Sequence, residues 1–522
     1  LVGRSFKYHR PRGVVASGAE EPNGLVNMGQ GGRFEPNQRI TTTELFDGLQ
    51  AQSQNHWPSL EFDIGAINSK LARFLPAGFY YKMFIHPRPF WKYVYEPFIR
   101  QSAGLGQAPK VKDDDTYEHF HHFCDVLVVG GGVAGLQAAR TAAKSGAKVM
   151  VVEQTPNWGG RAVVDGGLVD GQPVEKFVEQ SVSELETMPN VVMRTRMMGA
   201  GIYDHGYVLG YEQLRDHTPN TPGPRHRLWR IRAGHVVTAT GAIERPLSFA
   251  GNDIPGVMLA AAQRDYLVNF GVSVGRRTVV VTNNDDAYRT AFALKEAGLD
   301  VPAILDARSS DAPSGVLQRA EELGITVLSG HGVSSVKGGK RVEAVVVCKQ
   351  DGSGEKVQEI PCDAVAMSGG WSPVVHLWSH CGGKLVWDAD HACFRPDVDK
   401  APTGAAGQAF VTPAGAANGA FALADILEDA DHAARSAAAS VGRKIRKSKS
   451  PQALREPEGP LAPVWLMPAQ ADISLRSKAW LDYQNDVKVS DIQLAAQEGF
   501  ESVEHAKRYT TLGMATDQGK LS

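Results

Sequence analysis

Three glycines and one glutamate are the residues of this sequence with the clearest capacity for chemistry. Gly130, Gly132 and Gly135 form the pattern G-x-G-x-x-G between a predicted strand and a predicted helix, and Glu153 ends the next strand. The first glycine permits a tight turn, the second lets the backbone approach a phosphate, and the third lets helix and strand pack closely. The helix N-terminus supplies N–H groups to a phosphate, and an acid at this position accepts hydrogen bonds from a ribose diol. The stretch therefore predicts a bound dinucleotide, without separating NAD from FAD.

Smaller signals extend this predicted site along the chain. Gly159 and Gly160 follow Glu153, and the turn TATGA (238–242) follows another predicted strand. Small residues in such turns let the backbone pass close to a nucleotide. A strand-end residue facing a groove supports little core, so replacing Glu153 with Ala is expected to weaken binding and leave melting nearly unchanged. The remaining residues predicted to contact the dinucleotide are Val133, Ala134, Gln154, Gly160, Arg161, Thr240, Gly241 and Gly415.

A second strand–turn–helix pattern lies at 278–296, but its turn reads Thr-Asn-Asn-Asp-Asp where a nucleotide-binding unit would carry glycines. Side chains at these positions block a phosphate from the backbone. Asp285 and Asp286 would also repel a phosphate at the helix N-terminus, where carboxylates serve well as N-caps. The sequence therefore predicts a second nucleotide-type fold that is retained as a scaffold and whose nucleotide site is closed.

The two nucleotide-type patterns together resemble the two-dinucleotide-domain flavoproteins of the disulfide-reductase type. Flavoproteins of that type usually place Gly-Asp in the segment that corresponds to 410–427, and the Asp holds the ribityl chain of the flavin. Here the segment reads FVTPAGAANGAFALADIL, with Ala416 after Gly415. The missing acceptor favours NAD over FAD at the first site.

Other candidate sites are weaker. The five cysteines (124, 348, 362, 381 and 393) form no C-x-x-C pair, so neither a redox dithiol nor a cysteine-ligated cluster is predicted. The group His119, His121, His122 and Cys124 could ligate a metal, but neighbouring side chains on a strand point apart, and no metal site is predicted. No Ser/His/Asp grouping follows from spacing alone, so the sequence identifies no catalytic residue.

Composition describes an ordinary globular protein of 522 residues, with 43% hydrophobic residues and a net charge of −2. This balance gives no attraction toward nucleic acid. No run of 18 apolar residues predicts a membrane span, and no signal peptide is visible. The scattered cysteines fit a reducing, cytoplasmic compartment. The sequence opens at Leu1 in the middle of a motif, which suggests a fragment without its true start.

Apolar runs alternating with helical stretches from residue 125 onward predict an α/β fold of Rossmann-like type. Predicted strands span 125–130, 148–153, 235–239, 278–282, 301–306, 343–348 and 363–367. Predicted helices span 133–145, 173–186, 260–270, 286–297, 314–323 and 417–439. The predicted domains are 1–115, a dinucleotide-binding domain of 116–275 plus 365–440, an inserted second βαβ domain of 276–364, a linker of 441–463, and a helical segment of 464–522.

The two ends of the chain carry their own signals. Segment 79–98, FYYKMFIHPRPFWKYVYEPF, is rich in aromatic residues, although the whole chain is only 8% aromatic. It is either a self-packed irregular segment or a surface for a partner, since aromatics and arginine are enriched at interfaces. In the C-terminal segment, Ser490-Asp491 and Ser502 are candidate N-caps of two helices.

Five stretches together resemble the alpha subunit of heterotetrameric sarcosine oxidase over essentially the whole chain. The most specific are GRSFKYHRPRG (3–13) and HAKRYTTLGMATDQGK (505–520); the others are ASGAEEPNGLVN, DVLVVGGGVAGL and AGNDIPGVMLA. The resemblance implies an N-terminal remnant of a ferredoxin-like β-grasp domain, whose iron–sulfur relatives carry cysteines. Residues 15–23, VASGAEEPN, have none, so no cluster is expected. It also implies that the chain ends about where a folate-binding domain would begin.

In that family the complex demethylates sarcosine to glycine, forms hydrogen peroxide and passes a one-carbon unit to tetrahydrofolate. The resemblance implies that this chain binds NAD through Gly130, Gly132, Gly135 and Glu153. It also implies that FAD lies in the beta subunit, that FMN is held covalently between the alpha and beta subunits, and that zinc lies in the delta subunit. The expected partners are therefore the beta, gamma and delta subunits and a small methylated amine.

Three alternatives remain open at the level of sequence. A subunit of N-methylglutamate dehydrogenase would have the same folds and another substrate. A subunit of a hydrogen cyanide synthase or opine oxidase type of complex would hold FAD at the first site. A stand-alone NAD(P)H oxidoreductase would need a working second fingerprint, which the turn at 282–286 lacks.

Overall fold

The computed structural model of the chain describes residues 7–10, 12–54, 56–309, 314–444, 450–455 and 458–522. Two sequence motifs extend beyond these ranges. Residues 3–6 and 11 of the basic N-terminal motif lie outside the described residues, as do 445–449, 456 and 457 of the predicted linker.

Twenty-six strands occur within the described residues. In chain order they are β1 Leu25–Met28, β2 Glu35–Arg39, β3 Ala51–Ser53, β4 Tyr117–Val129, β5 Val149–Val152, β6 Leu168–Val169, β7 Gln172–Pro173, β8 Val191–Arg194, β9 Met197–Tyr203, β10 Tyr207–Gln213, β11 His226–Thr238, β12 Ala242–Glu244, β13 Val257–Leu259, β14 Thr278–Thr282, β15 Ala303–Asp306, β16 Thr326–Ser329, β17 His331–Gly338, β18 Val342–Lys349, β19 Lys356–Pro361, β20 Ala364–Ser368, β21 Trp371–Pro373, β22 Leu385–Asp388, β23 Cys393–Pro396, β24 Val411–Pro413, β25 Trp480–Asp482 and β26 Val487–Lys488.

Fifteen α-helices occur in the same part of the chain. They are α1 Asn68–Leu71, α2 Phe79–Lys82, α3 Arg88–Phe90, α4 Glu96–Ser102, α5 Val133–Ala143, α6 Ala162–Asp165, α7 Val174–Thr187, α8 Ala260–Phe270, α9 Asp286–Glu296, α10 Ser314–Glu322, α11 His376–His380, α12 Leu423–Ser440, α13 Ile473–Arg476, α14 Val489–Gln497 and α15 Val503–Thr510. Among the described residues, none of these helices is long and apolar enough to cross a membrane.

The chain forms two compact units, each built from separate stretches of sequence. Unit one comprises Leu1–Asp114, Glu244–Gly370 and Glu458–Ser522, and unit two comprises Asp115–Ile243 and Trp371–Pro457. The finer domain boundaries expected from the sequence stay a prediction.

Unit two is built on a seven-stranded sheet in the order β8-β5-β4-β11-β10-β9, with β24 also paired to β11. The pairs formed by β8, β5, β4, β11 and β24 are parallel, whereas β10 and β9 add an antiparallel edge. Side chains alternate along β4: Val126 and Val128 pack with α5, α7 and α12 on one face, and Leu127 and Val129 pack with Trp229 and Trp378 on the other. Burying each such side chain contributes about 1.5–3 kcal/mol.

Unit one contains a parallel sheet in the order β13-β20-β14-β15-β16, with α8, α9 and α10 packed against it. A separate antiparallel sheet, β17-β18-β19, lies between β16 and β20 in the chain. The N-terminal part adds the antiparallel sheet β2-β1-β3, and the C-terminal part adds the hairpin β25–β26 beside α14 and α15. The predicted α/β class and N-terminal β-sheet remnant are confirmed, but the C-terminal segment is not purely helical.

Most predicted strands and helices match the structure to within a few residues, and three begin elsewhere. The strand predicted at 235–239 begins at His226, because residues 226–233 also pair with β4. The strand predicted at 125–130 begins at Tyr117, because the segment with the histidines also pairs residue by residue with β11. The helix predicted from 417 begins at Leu423, since Gly419 adopts a left-handed φ of 93° that ends a preceding 3₁₀ turn.

The two predicted caps in the C-terminal segment have different outcomes. Ser502 caps α15, since its hydroxyl accepts the N–H of His505 at 3.2 Å. The cap predicted at Ser490-Asp491 is wrong, because α14 starts earlier, after Lys488. Asp491 instead reaches back to accept the Lys488 N–H at 3.0 Å.

Candidate dinucleotide-binding site

The glycine-rich turn of unit two joins β4 to α5, and packing alone explains why two of its positions are glycine. Gly130 has a φ of 111°, and a Cβ there would collide with the carbonyl oxygen of Ala239. A Cβ at Gly135 would collide with the carbonyl oxygen of Gly130, since α5 packs directly against the turn. These are the tight turn and the close helix–strand contact that the sequence pattern predicts.

Gly132 differs from its neighbours because the protein itself does not fill the space beside it. Apart from Gly132 and its two chain neighbours, the one described heavy atom within 4 Å of a Cβ built at Gly132 is the Cα of Gly160, at 3.9 Å. This open space lies before Val133, where the first N–H groups of α5 have no acceptor inside the helix. This open space beside Gly132, hereafter the cradle, would be filled by a side chain at position 132. It lies at the N-terminal end of α5, where free N–H groups and the helix dipole favour an anion such as a phosphate.

Glu153 stands directly after β5 and is only 7% exposed. Its carboxylate accepts the N–H of Gly131 at 2.7 Å and the N–H of Thr155 at 2.8 Å. A carboxylate offers about four lone-pair sites, so these two bonds leave acceptor capacity for the two hydroxyls of a ribose. The structure changes the expectation that Glu153 contributes little to stability, because its side chain joins the glycine turn to the loop after β5.

The loop after β5 forms the second wall of the cradle. The N–H of Gly159 donates to the carbonyl oxygen of Gly131 at 2.8 Å, and a Cβ at Gly160 would lie 3.1 Å from the Cα of Gly132. Gln154 is exposed at the start of this loop. Arg161, at its end, pairs with Asp165 at 2.9 Å and lies 5.2 Å from the centre of the Trp371 ring.

The predicted residues Thr240, Gly241 and Gly415 border the same turn from two further segments. The segment before Thr240 touches Gly130 through Ala239, and a Cβ at Gly415 would lie 2.6 Å from that of Ala134. Gly241 has a φ of 76°, and no described atom lies within 4 Å of a Cβ built there. The Thr240 hydroxyl is already used, since it donates to the carbonyl oxygen of Val374 at 2.7 Å.

Asp429 is a residue of this region that sequence reasoning missed. From α12, its carboxylate accepts the N–H of Gly415 at 2.7 Å and the side-chain amide of Asn418 at 2.9 Å. Burial raises the pKa of Asp429 above its usual range, while these donors oppose the shift. These two hydrogen bonds hold the turn at Ala416 and use acceptor sites of the carboxylate. An aspartate on the helix that follows a glycine-rich turn is the sequence feature that could have identified Asp429.

In the second strand–turn–helix, from β14 to α9 in unit one, side chains of the turn itself occupy the space where a phosphate would bind. Asn283 and Asn284 are buried, and the Asn284 side-chain oxygen accepts the N–H of Asp286 at 3.0 Å. Asp285 occupies the predicted N-cap position of α9, but its side chain makes no capping hydrogen bond, and Asp286 is the first residue of the helix. Asp286 pairs with Arg264 at 3.1 Å, and Asp285 pairs with Arg308 at 2.7 Å.

Asp306, also missed by sequence reasoning, ends β15 at the position that Glu153 occupies in unit two. One of its oxygens accepts the backbone N–H and the Nε of Arg308, both at 3.0 Å. The other accepts the Arg308 Nη2 and the Tyr288 hydroxyl, both at 2.8 Å. Four donors use the acceptor capacity of a carboxylate, which leaves none for a ribose.

The histidine-rich stretch forms no metal centre in the part of the chain that the structure describes. His119, His121, His122 and Cys124 all lie on β4, and His122 packs edge-on against Trp229 with ring centres 5.9 Å apart. Among the described residues, no three His, Cys, Asp or Glu side chains are grouped so that they could hold a metal ion.

Comparison with known proteins adds three family matches. Residues 124–391 match the pyridine nucleotide-disulphide oxidoreductase family, residues 476–522 the sarcosine oxidase A3 domain, and residues 1–56 a 2Fe-2S iron-sulfur cluster binding domain. The structure is similar to that of L-proline dehydrogenase from P. horikoshii, with a TM-score of 0.61 and 19% identity, covering 100% of this chain and 84% of the other. That likeness concerns the fold.

Curated relatives match over the whole chain. The sarcosine oxidase alpha chain of Rhizobium meliloti (strain 1021) is 45% identical over 100% of this chain and 51% of the relative. That of Corynebacterium sp. (strain P-1) is 35% identical over 100% and 49%. An opine oxidase subunit of Agrobacterium tumefaciens (strain Ach5) is 28% identical over 53% of this chain and 58% of its own. The chain thus spans about half the length of the curated sarcosine oxidase subunits it matches.

The iron–sulfur cluster implied by the N-terminal match does not fit the residues present. The first cysteine of the chain is Cys124, so residues 1–56 contain no thiolate ligand. The described loop closes on the carboxylate of Glu21, which is 0% exposed. This carboxylate accepts N–H groups from Val15, Ala16 and Asn23, each at 2.7 Å, and from Gly24 at 3.2 Å.

Proposed function

We propose that this chain, which belongs to the pyridine nucleotide-disulphide oxidoreductase family, serves as the alpha subunit of a sarcosine oxidase-type complex. Sarcosine oxidase alpha subunits match it along its whole length. The observation that carries the proposal is the 45% identity over 100% of the chain. The A3 match at 476–522 supports it independently of the nucleotide-binding fold. The opine oxidase relative covers only about half of the chain and supports that alternative less well.

The proposed reaction of the complex is oxidative demethylation of sarcosine. The N-methyl carbon is oxidised and transferred to tetrahydrofolate, glycine is released, and two electrons reduce dioxygen to hydrogen peroxide. We assign FAD, FMN, zinc and tetrahydrofolate to other parts of a heterotetramer that also contains beta, gamma and delta subunits. The designation of the relatives as alpha subunits supports a multi-subunit assembly.

The proposed ligand of unit two is NAD. The cradle beside Gly132 and the N-terminus of α5 would hold the pyrophosphate, and the lone pairs left on Glu153 would accept the adenosine ribose hydroxyls. Ala416 offers no side-chain acceptor for a ribityl chain, and the nearby Asp429 carboxylate already binds Gly415 and Asn418. NAD supplies a hydride-accepting ring in other enzymes; the proposed role here is structural, since the second fold is closed to a hydride donor.

The experiment that tests the ligand is release of bound nucleotide from the purified complex, followed by mass spectrometry and quantification per alpha chain. One NAD per chain is expected. FAD released from the isolated alpha chain, or two nucleotides per chain, would contradict the assignment. Sarcosine-dependent peroxide formation by the assembled complex tests the reaction itself, with N-methylglutamate and an opine as alternative substrates.

A further inference from the structure

The second nucleotide-type fold, in unit one, has the crevice that open α/β sheets use for ligands. β14 lies at the centre of its sheet, with β15 on one side and β20 on the other. From β14 the chain continues to β15 and β16 on one side of the sheet, and β20, which comes later in the chain, lies on the other side. Ligands of such sheets bind outside the carboxyl ends of the strands where the order reverses. Here those ends are Thr282, Asp306 and Ser368.

Residues Gly459–Trp465, hereafter the strap, cross this crevice from the β15 side. The N–H of Gly459 donates to the carboxylate of Asp285 at 2.6 Å. The Arg308 guanidinium, which also pairs with Asp285 at 2.7 Å, reaches the carbonyl oxygen of Pro460 at 3.4 Å. The acidic turn that would repel a phosphate therefore accepts a peptide N–H.

The middle of the strap is held by Asn283, which is 0% exposed. Its side-chain amide donates to the carbonyl oxygens of Ala462 at 2.8 Å and Val464 at 3.1 Å. The main-chain carbonyl oxygen of Asn283 accepts the N–H of Ala462 at 3.1 Å. The Asn284 side chain, buried beside it, donates to the Asn283 side-chain oxygen at 2.9 Å and so orients the amide toward the strap.

The far end of the strap is anchored beyond β20. The indole N–H of Trp465 donates to the carbonyl oxygen of Gly369 at 2.9 Å, and the Arg245 guanidinium lies 4.9 Å from the centre of the Trp465 ring. The carbonyl oxygen of Trp465 accepts the N–H of Ser248 at 2.7 Å. A Cβ at Gly370 would collide with the Leu461 side chain, so this glycine makes room for the strap.

We propose that the crevice of the second fold is a peptide-binding surface whose partner is the strap of the same chain, and that this contact anchors the region that matches the sarcosine oxidase A3 domain. A peptide backbone offers both donors and acceptors, and the turn presents both an amide donor and a carboxylate acceptor. A phosphate offers only acceptors and would face the charge of Asp285. The Asn-Asn-Asp-Asp turn is therefore matched to a peptide.

The test is hydrogen–deuterium exchange on the full-length protein in its assembled complex. Asn283→Ala removes both side-chain donors to the strap. It is expected to speed exchange of the strap amides by roughly tenfold, the effect of losing hydrogen bonds of ordinary net strength. Exchange in 125–154 of unit two is expected to stay unchanged. The matched control is Asn269→Ala, because Asn269 is exposed at the end of α8 and donates to Asp265.

A second variant acts from the strap itself. Ala462→Pro removes the N–H that donates to Asn283 and alters no helix or strand, so the fold of β14 and α9 is retained. It is expected to speed exchange at Gly459 by a similar factor. Equal exchange in Asn283→Ala and Asn269→Ala, or an unprotected strap in the parent protein, would overturn the proposal. Added NAD is expected to leave strap exchange unchanged; faster exchange would mean that a dinucleotide displaces the strap, and would also overturn it.

Discussion

At the level of single residues, two acids in equivalent positions differ in how many hydrogen bonds they already accept. Glu153 directly follows β5, Asp306 is the last residue of β15, and each is almost fully buried. Glu153 accepts two backbone N–H groups, whereas Asp306 accepts four donors from Arg308 and Tyr288. The number of lone pairs already in use, and not the presence of an acid, decides which position can accept a ribose.

Glu153→Ala is expected to lower the affinity of nucleotide-stripped protein for NAD by roughly ten- to a few-hundredfold, which corresponds to a net loss of about 1.5–3 kcal/mol, the contribution of one charge-assisted hydrogen bond. It is also expected to lower the melting temperature, because the N–H groups of Gly131 and Thr155 lose their acceptor. Calorimetry and thermal melting measure the two effects. Glu179→Ala, at an exposed position of α7, is the control. Unchanged NAD affinity would mean that Glu153 serves only to join the two loops.

Glu244 gives unit one a dependence on pH. The side chain is 3% exposed and accepts the N–H of Ala261 at 2.8 Å. Burial, with a contribution from the Asp286 carboxylate, raises the pKa of Glu244 to about 8. Because the pKa of Glu244 in the folded protein lies above its unfolded value, the protonated carboxyl group favours the folded state. This contribution to the stability of the fold is complete below about pH 4.5 and is lost as pH rises through about 8.

Glu244→Gln keeps an acceptor and removes the titration. Between pH 5 and pH 9, roughly the range in which the raised pKa acts, the melting temperature of the parent is expected to fall more steeply than that of Glu244→Gln. Thermal melts at matched ionic strength measure the difference. Glu355→Gln, at an exposed position paired with Lys349, is the control and is expected to follow the parent. Parallel curves for the parent and Glu244→Gln would refute the prediction.

At the scale of elements, the fingerprint helix α5 is held by α12 through small side chains. Ala138, Ala139 and Ala142 of α5 and Ala430 and Ala434 of α12 are all fully buried in one cluster. Alanines let two helices approach closely, and a tightly packed interior tolerates added volume poorly. α12 also carries Asp429, so its placement sets the turn at Gly415 as well as the position of α5.

Ala434→Leu is therefore expected to destabilise the protein by about 1–3 kcal/mol, because the added methylene groups force α5 and α12 apart. Chemical denaturation monitored by fluorescence measures the change, and NAD affinity is expected to fall with it. Ala439→Leu is the matched control, since Ala439 is exposed on the same helix. A stable Ala434→Leu variant would show that the contact between α5 and α12 adapts to larger side chains.

At the scale of the whole molecule, unit one presents a large exposed aromatic surface. Within the segment 79–98, Tyr93 is 72% exposed, Tyr81 is 57% and Phe98 is 58%. Surfaces of this kind mark interaction sites in soluble proteins and promote association when they are uncovered. The segment is therefore the strongest candidate in the described chain for contact with another subunit.

The isolated chain is expected to form no peroxide from sarcosine and to self-associate through this segment. Combining Tyr93→Ser with Phe98→Ser should shift sedimentation toward the monomer, because the exposed apolar area falls. Phe270→Ser, at an aromatic side chain 67% exposed outside the segment, is the control. Sarcosine-dependent peroxide from the isolated chain would contradict the assignment of amine oxidation to another subunit. Unaltered self-association in the double variant would exclude the segment as its cause.

Local sequence determined the elements whose geometry depends on a few neighbouring residues. The steric demands of Gly130 and Gly135, followed by apolar periodicity, place β4, α5 and β5 within a few residues of their predicted ends, apart from the early start of β4. The same local chemistry identified Ser502 as a cap. These predictions succeed because backbone sterics and hydrogen bonding within one turn are decided by the residues of that turn. That the Asn-Asn-Asp-Asp turn binds no phosphate stays a prediction.

Tertiary structure alone decided what each charged or polar side chain of the turns binds. Asp285 stands at the N-cap of α9, but its side chain binds Arg308 and the N–H of Gly459, 174 residues further along the chain, instead of the helix N–H groups. Asn283 binds Ala462, 179 residues away, and Asp429 binds the backbone of Gly415. No periodicity or spacing encodes such pairs, since they arise only when packing of the sheets brings distant segments within hydrogen-bonding distance. The sequence thus predicts a closed second site, and the folded chain places there the strap that we propose as its peptide partner.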